Sequence, residues 1–116
     1  MENKTEAFVD YVDGLLKATL EGKIDWSPFN PTTFIWDKET PPTARLILQR
    51  VEQAGRLPRY LHILTVTDMT PNPMNVILNG SSEDPRVNEK LGVIYDSIKL
   101  RILEKELDFL KSTLPK

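Results

Sequence analysis

The last third of the chain, residues 84 to about 114, constrains the fold most, because it reads as one long helix with two apolar stripes where a surface helix needs one. Asp84 is placed to accept hydrogen bonds from the free backbone N–H groups of a first turn. Pro85 suits the first helical position, and no further proline intervenes before Pro115. At about 100 degrees per residue, Val87, Leu91, Ile94, Ile98 and Ile102 share one face, with Tyr95 and Phe109 beside it. That face is expected to cover a sheet. Val93, Leu100, Leu103, Leu107, Leu110 and Leu114 fall on roughly the opposite side, and from Leu100 onward they alternate steps of three and four, the spacing of a heptad seam. Two outcomes are open for this second stripe. Either the N-terminal helix of the same domain covers it, or it pairs with another protein chain, most simply a copy of itself. In the second case a symmetric dimer with antiparallel C-terminal helices is the simplest closed arrangement.

The remainder of the chain must supply whatever meets the two stripes, and 116 residues allow one domain with a single core. Apolar residues at 40% and charged residues at 28% describe an ordinary soluble protein with no tract suggesting disorder beyond the termini. There are no cysteines, which excludes disulfides and thiolate metal sites and suits a reducing cytoplasm. Residues 1 to 6 are polar and lack the apolar core of a signal peptide, and no window approaches the roughly 18 apolar residues that span a bilayer. A soluble cytoplasmic protein with no membrane partner is the expectation, and the sequon matches at Asn3 and Asn79 then carry no meaning.

Read in order, Asn3 or Thr5 caps a first helix running to about Glu21, with Gly22 placed to end it in a left-handed conformation. Phe8, Val12, Leu15, Leu16 and Leu20 form its single apolar stripe. Residues 23 to 26 alternate charge with Ile24 and Trp26, as in a short strand or an extended entry to a sheet, and Trp26 reads as a core plug. Residues 27 to 31, with two prolines, read as a turn. Strands follow at about 32 to 37, 44 to 53, 59 to 68 and 74 to 78, separated by Pro41-Pro42, by the loop 54 to 58 and by the turn 70 to 73. A bulge near Arg50 or Val51 in the second of these is not placeable from the sequence. Short connections favour antiparallel pairing. The fold class is therefore α+β, a two-layer domain in which an N-terminal helix and a long C-terminal helix pack on one face of a meander of three to five strands.

The run from Leu15 to Trp26, ending Thr19-x-x-Gly22-Lys23-Ile24-x-Trp26, resembles a loose group of small uncharacterised bacterial proteins. These share a helix, a few strands and a C-terminal helix that opens after an acidic turn and carries a tyrosine at a place like Tyr95 here. The resemblance implies this fold and a bacterial origin, and brings no catalytic residue with it.

The search for chemistry returns little. His62 is the only histidine, no serine sits in a Gly-x-Ser-x-Gly elbow, and the five glycines form neither a dinucleotide fingerprint nor a phosphate loop. No metal-ligand spacing, cofactor motif or catalytic constellation is legible, so catalytic, cofactor and metal residues are none. The net charge of −2 hides an asymmetry, because residues 38 to 62 carry five bases against two acids. On or beside the sheet, Trp36, Arg45, Tyr60 and His62 are therefore the candidate ligand or nucleic-acid face. Against that reading stand the overall acidity and the absence of an RNA-recognition signature. The favoured expectation is a non-enzymatic protein-interaction or accessory module, with Leu100, Leu103, Leu107, Leu110 and Leu114 as the interface and a homodimer as one outcome.

Overall fold

The structure, a computed structural model, describes residues 4–57, 59–70, 74–80 and 84–115. The expected cap at Asn3, Pro58 of the loop, residues 71–73 of the turn and the lead-in at 81–83 lie outside them. Two helices and five strands follow in the order α1 Lys4–Leu20, β1 Ser27–Asn30, β2 Thr33–Lys38, β3 Ala44–Glu52, β4 Tyr60–Asp68, β5 Asn75–Asn79 and α2 Pro85–Ser112. The strands form one antiparallel meander in sequence order. Both helices lie on one of its faces, so the domain is two-layered α+β. None of the described helices is long and apolar enough to cross a membrane.

Strand alternation sets the core. Register places Phe34, Leu48, Leu64 and Leu78 in one row across β2 to β5, and all four are buried beneath the helices. Onto this row α2 lowers Val87, Leu91, Ile94, Tyr95 and Ile98, while α1 contributes Val9, Val12 and Leu15. Asp84 caps α2 by accepting a hydrogen bond from the Arg86 backbone N–H at 2.8 Å. Its carboxyl group is held at about 2, well below the usual range, by hydrogen bonds from the Arg86 side chain and backbone.

Three local expectations are resolved by the structure. Of the two forms expected for residues 23–26 the strand is not taken, and they bury Ile24 and Trp26 at the junction of the helices and the sheet. The Trp26 indole donates to Thr19 Oγ1 at 3.1 Å, which itself donates to the Leu15 carbonyl at 2.9 Å. The segment expected to be a turn instead forms β1, pairing with β2 through an irregularity between Pro28 and Asn30. Proline is tolerated there because β1 is an edge strand, with one side free of the ladder. No bulge interrupts β3, whose pairing with β4 is continuous from Ala44 to Glu52, so Arg50 points toward the helices and Val51 away.

Helix α1 lies beside α2 and runs in the same direction, since Glu6 pairs with Arg86, Asp13 with Lys90 at 2.6 Å, and Gly22 sits next to Arg101. Gly22, at φ 76°, ends α1 in the left-handed region. At about 1.5 Å per residue the 28 residues of α2 span about 42 Å, and the last three turns continue past the end of α1. The radius of gyration is 16.0 Å, against about 13 Å for a compact domain of this length. A projecting helix accounts for the difference.

Candidate functional site

The stripe on the outer side of α2 is uncovered. Relative exposure is 57% at Leu100, 49% at Leu103, 45% at Leu107, 57% at Leu110 and 69% at Leu114, with Val93 at 44% continuing the same side toward the N-terminus. Neither α1 nor the sheet lies over these side chains, because α1 lies to one flank and stops near Arg101 while the sheet lies behind the helix, and residues 25–31 border the row only from the β1 side. An open cleft of about 520 Å³ borders the stripe, where Leu100 and Leu103 approach Pro28 and Pro31 at the β1 edge. Among the described residues, the cover by the N-terminal helix that the sequence left open is not present, since α1 ends beside Arg101.

The charges flanking the stripe are ordered. Lys99 and Glu106 lie on the β1 side and Glu104 and Lys111 on the α1 side, as their helical positions require. All four are exposed, and none is ion-paired with another described residue. By contrast Arg45, Arg50, Arg59, Arg86 and Lys90 each hold a carboxylate at between 2.6 and 3.1 Å or closer.

The four residues of the candidate sheet face do not share a surface. Arg45 points away from the helices and forms a two-pronged pair with Asp37 across the β2–β3 ladder, at 2.7 and 3.2 Å. Trp36, Tyr60 and His62 point the other way. Trp36 is half-buried against Trp26, with ring centroids 6.4 Å apart. It lines a groove of about 470 Å³ between α1 and the sheet, together with Tyr11, Leu46 and Val66.

His62 is buried in a polar cluster under α2. Arg50 Nε donates to its Nε2 at 2.9 Å, which leaves the proton on Nδ1, 3.3 Å from Asn88 Oδ1. The same Asn88 oxygen accepts the His62 backbone N–H at 2.9 Å, and Asn88 Nδ2 donates to the Tyr60 carbonyl at 3.1 Å. Arg50 completes the group, reaching Asp96 at 2.8 Å with its guanidinium 4.0 Å from the centre of the Tyr95 ring. Burial, and secondarily the Arg50 charge, push the His62 pKa below its ordinary value. Both ring nitrogens are occupied by protein partners, an arrangement that fixes α2 to β4 and leaves no lone pair for a substrate or a metal. Among the described residues no group of three or more histidines, aspartates or glutamates converges as a metal site would.

Sequence reasoning missed two features. Arg50 as the centre of the buried cluster follows from unbroken alternation with Leu46 and Leu48, which was a usable signal. The outer sheet face is the other, where Ile35, Ile47, Thr65 and Ile77 form a cross-strand row with no helix over it and Ile77 is 58% exposed. Its signal was that β2 and β3 are apolar on both faces.

No protein-family model matches the chain, and no curated protein or solved structure matches it at a significant level. A functional reading therefore rests on the geometry of its own surfaces.

Proposed function

We propose that this chain is a small non-enzymatic protein-interaction module, acting in the cytoplasm, whose docking surface is the free half of α2. The observation that carries the reading is the row Leu100, Leu103, Leu107 and Leu110 on the part of α2 that projects past α1, continued by Leu114 just after the helix, each about half or more exposed. Full burial of a leucine is worth roughly 1.5–3 kcal/mol, so five half-exposed leucines in one row forgo several kcal/mol that a partner surface would supply. A contiguous apolar strip of this kind marks an interaction surface. A nucleic-acid role for the sheet has less behind it, since Arg45, Arg50 and Arg59 are each neutralised by a carboxylate and the aromatic residues near them face the helices.

A photoreactive side chain placed at Glu104 of the full chain in living cells, with the same label at Asn75 as control, tests the reading. Protein adducts at Glu104 that Leu107→Glu suppresses are expected. Labelling only of nucleic acid, or none above the Asn75 control, refutes it.

A further inference from the structure

Resting on that reading, we propose that the occupant of the stripe is a second copy of this chain, with the two α2 helices parallel and in register. The first argument is the seam itself. Leu100 and Leu107 take one apolar position of a heptad and Leu103 and Leu110 the other, with Leu114 two residues past the helix end, so two such stripes meet knobs into holes from Leu100 to Leu110.

The second argument is charge. In a parallel in-register pair, the residue just before the first apolar position faces the residue five further along the partner, just after the second apolar position. Lys99 then faces the partner's Glu104, and Glu106 faces the partner's Lys111. With the twofold axis this makes four attractive contacts and no repulsive one. These are the four flanking charges that find no ion pair among the described residues. Two acids and two bases also cancel, so the flanks match this same helix better than a strongly acidic or strongly basic partner.

The third argument is access. The stripe lies on the side of α2 opposite the core, α1 has ended by Arg101, and β1 stands to one flank, so a second helix approaches without displacing either neighbour. At the upstream end the next seam position is Asp96, whose carboxylate is drawn back to Arg50 at 2.8 Å. The seam therefore begins at Leu100. So short a seam sets the expected affinity in the micromolar range, where the cost of association offsets most of the apolar gain.

Sedimentation of the full chain from low micromolar to near-millimolar concentration tests this. The wild type is expected to pass from monomer to dimer, and Leu107→Glu to stay monomeric with its low-concentration melting midpoint unchanged. Lys99→Glu should weaken dimerisation about tenfold or more by opposing the partner's Glu104. Adding Glu104→Lys to it should restore the association. An antiparallel pair puts Lys99 and Glu104 on opposite sides of the interface, so failure of the double reversal to restore binding overturns the proposal, as does a wild type that is monomeric near millimolar. A monomeric wild type whose cellular adducts at Glu104 are other proteins leaves the interaction reading standing and removes only this inference. No protein adduct at all removes both.

Discussion

The two halves of α2 carry apolar side chains of similar kind at helical spacing, yet they meet different environments. Val87, Leu91, Ile94, Tyr95 and Ile98, which face the sheet, keep at most 4% of their surface, whereas the leucines from Leu100 to Leu110 keep 45% to 57%. Apolarity alone does not separate them. What separates them is what lies alongside: α1 stops beside Arg101, and Ile102, partly buried, is the last α2 residue packed on the core. The first half is held by the domain, and the second by its own helical hydrogen bonds and an exposed Lys105–Asp25 ion pair at 4.0 Å. A short isolated helix is marginal in water, so the free half gains order from whatever covers it.

The largest test of this contrast is the same deletion in both halves. Leu91→Ala removes a side chain with no exposed surface and should cost about 2–5 kcal/mol through lost burial and the cavity left behind. Leu107→Ala, measured by urea unfolding at a concentration where the chain is monomeric, should change stability by no more than about 0.5 kcal/mol. Equal costs at the two sites would mean that the free half is covered within the monomer, and the contrast would collapse.

A second substitution probes how the first half is anchored. A Cβ at Gly80 would lie 2.1 Å from Asn88 Oδ1, so Gly80→Ala must displace the amide that holds the His62 N–H and the Tyr60 carbonyl. Each buried polar group left unsatisfied costs about 1–3 kcal/mol. The substitution should therefore destabilise by about that amount, and much less once Asn88→Ala has already removed the amide. The shortfall from additivity, read from a double-mutant cycle, measures the anchor. Additive losses would show that Gly80 acts without Asn88.

Much of this arrangement was legible in the sequence, and the parts that were not have physical reasons. The cap and proline at the start of α2, its two stripes, and the four longer strands follow from local patterns that the tertiary structure only confirms. β1 was hidden by Pro28 within it and Pro31 just after it, which resemble a turn unless the strand is known to lie at an edge. The grouping of Trp36 and Tyr60 with Arg45 failed because the basic segment is close in sequence but splits across the two faces of the sheet. The fate of the leucine row depended on direction. An α1 antiparallel to α2 could have lain against its C-terminal half, and only the parallel alignment seen at Glu6–Arg86 and Asp13–Lys90 leaves that half free. Direction is a tertiary property that neither helix records by itself.

Acid should loosen one half of α2 and spare the other, which gives the smallest and most selective test. His62 is anchored to Arg50, Asn88, Tyr95 and Asp96, and its folded pKa lies below the unfolded value near 6.5. As pH falls below about 6.5 the unfolded chain binds a proton that the folded chain refuses, so stability should decline through that window and level off once the folded pKa is passed. Protonation would also set two cations together where Arg50 Nε now donates to a lone pair. Ordinary carboxylates titrate lower, and Asp84 is held at about 2, so neither obscures the slope between pH 7 and 5. His62→Gln should therefore be less stable at pH 7 but lose the slope, and Leu107→Glu should keep the wild-type slope, because no member of the cluster touches the free half. A monomer whose stability is flat from pH 7 to 5 would mean that His62 does not anchor the first half in its neutral form.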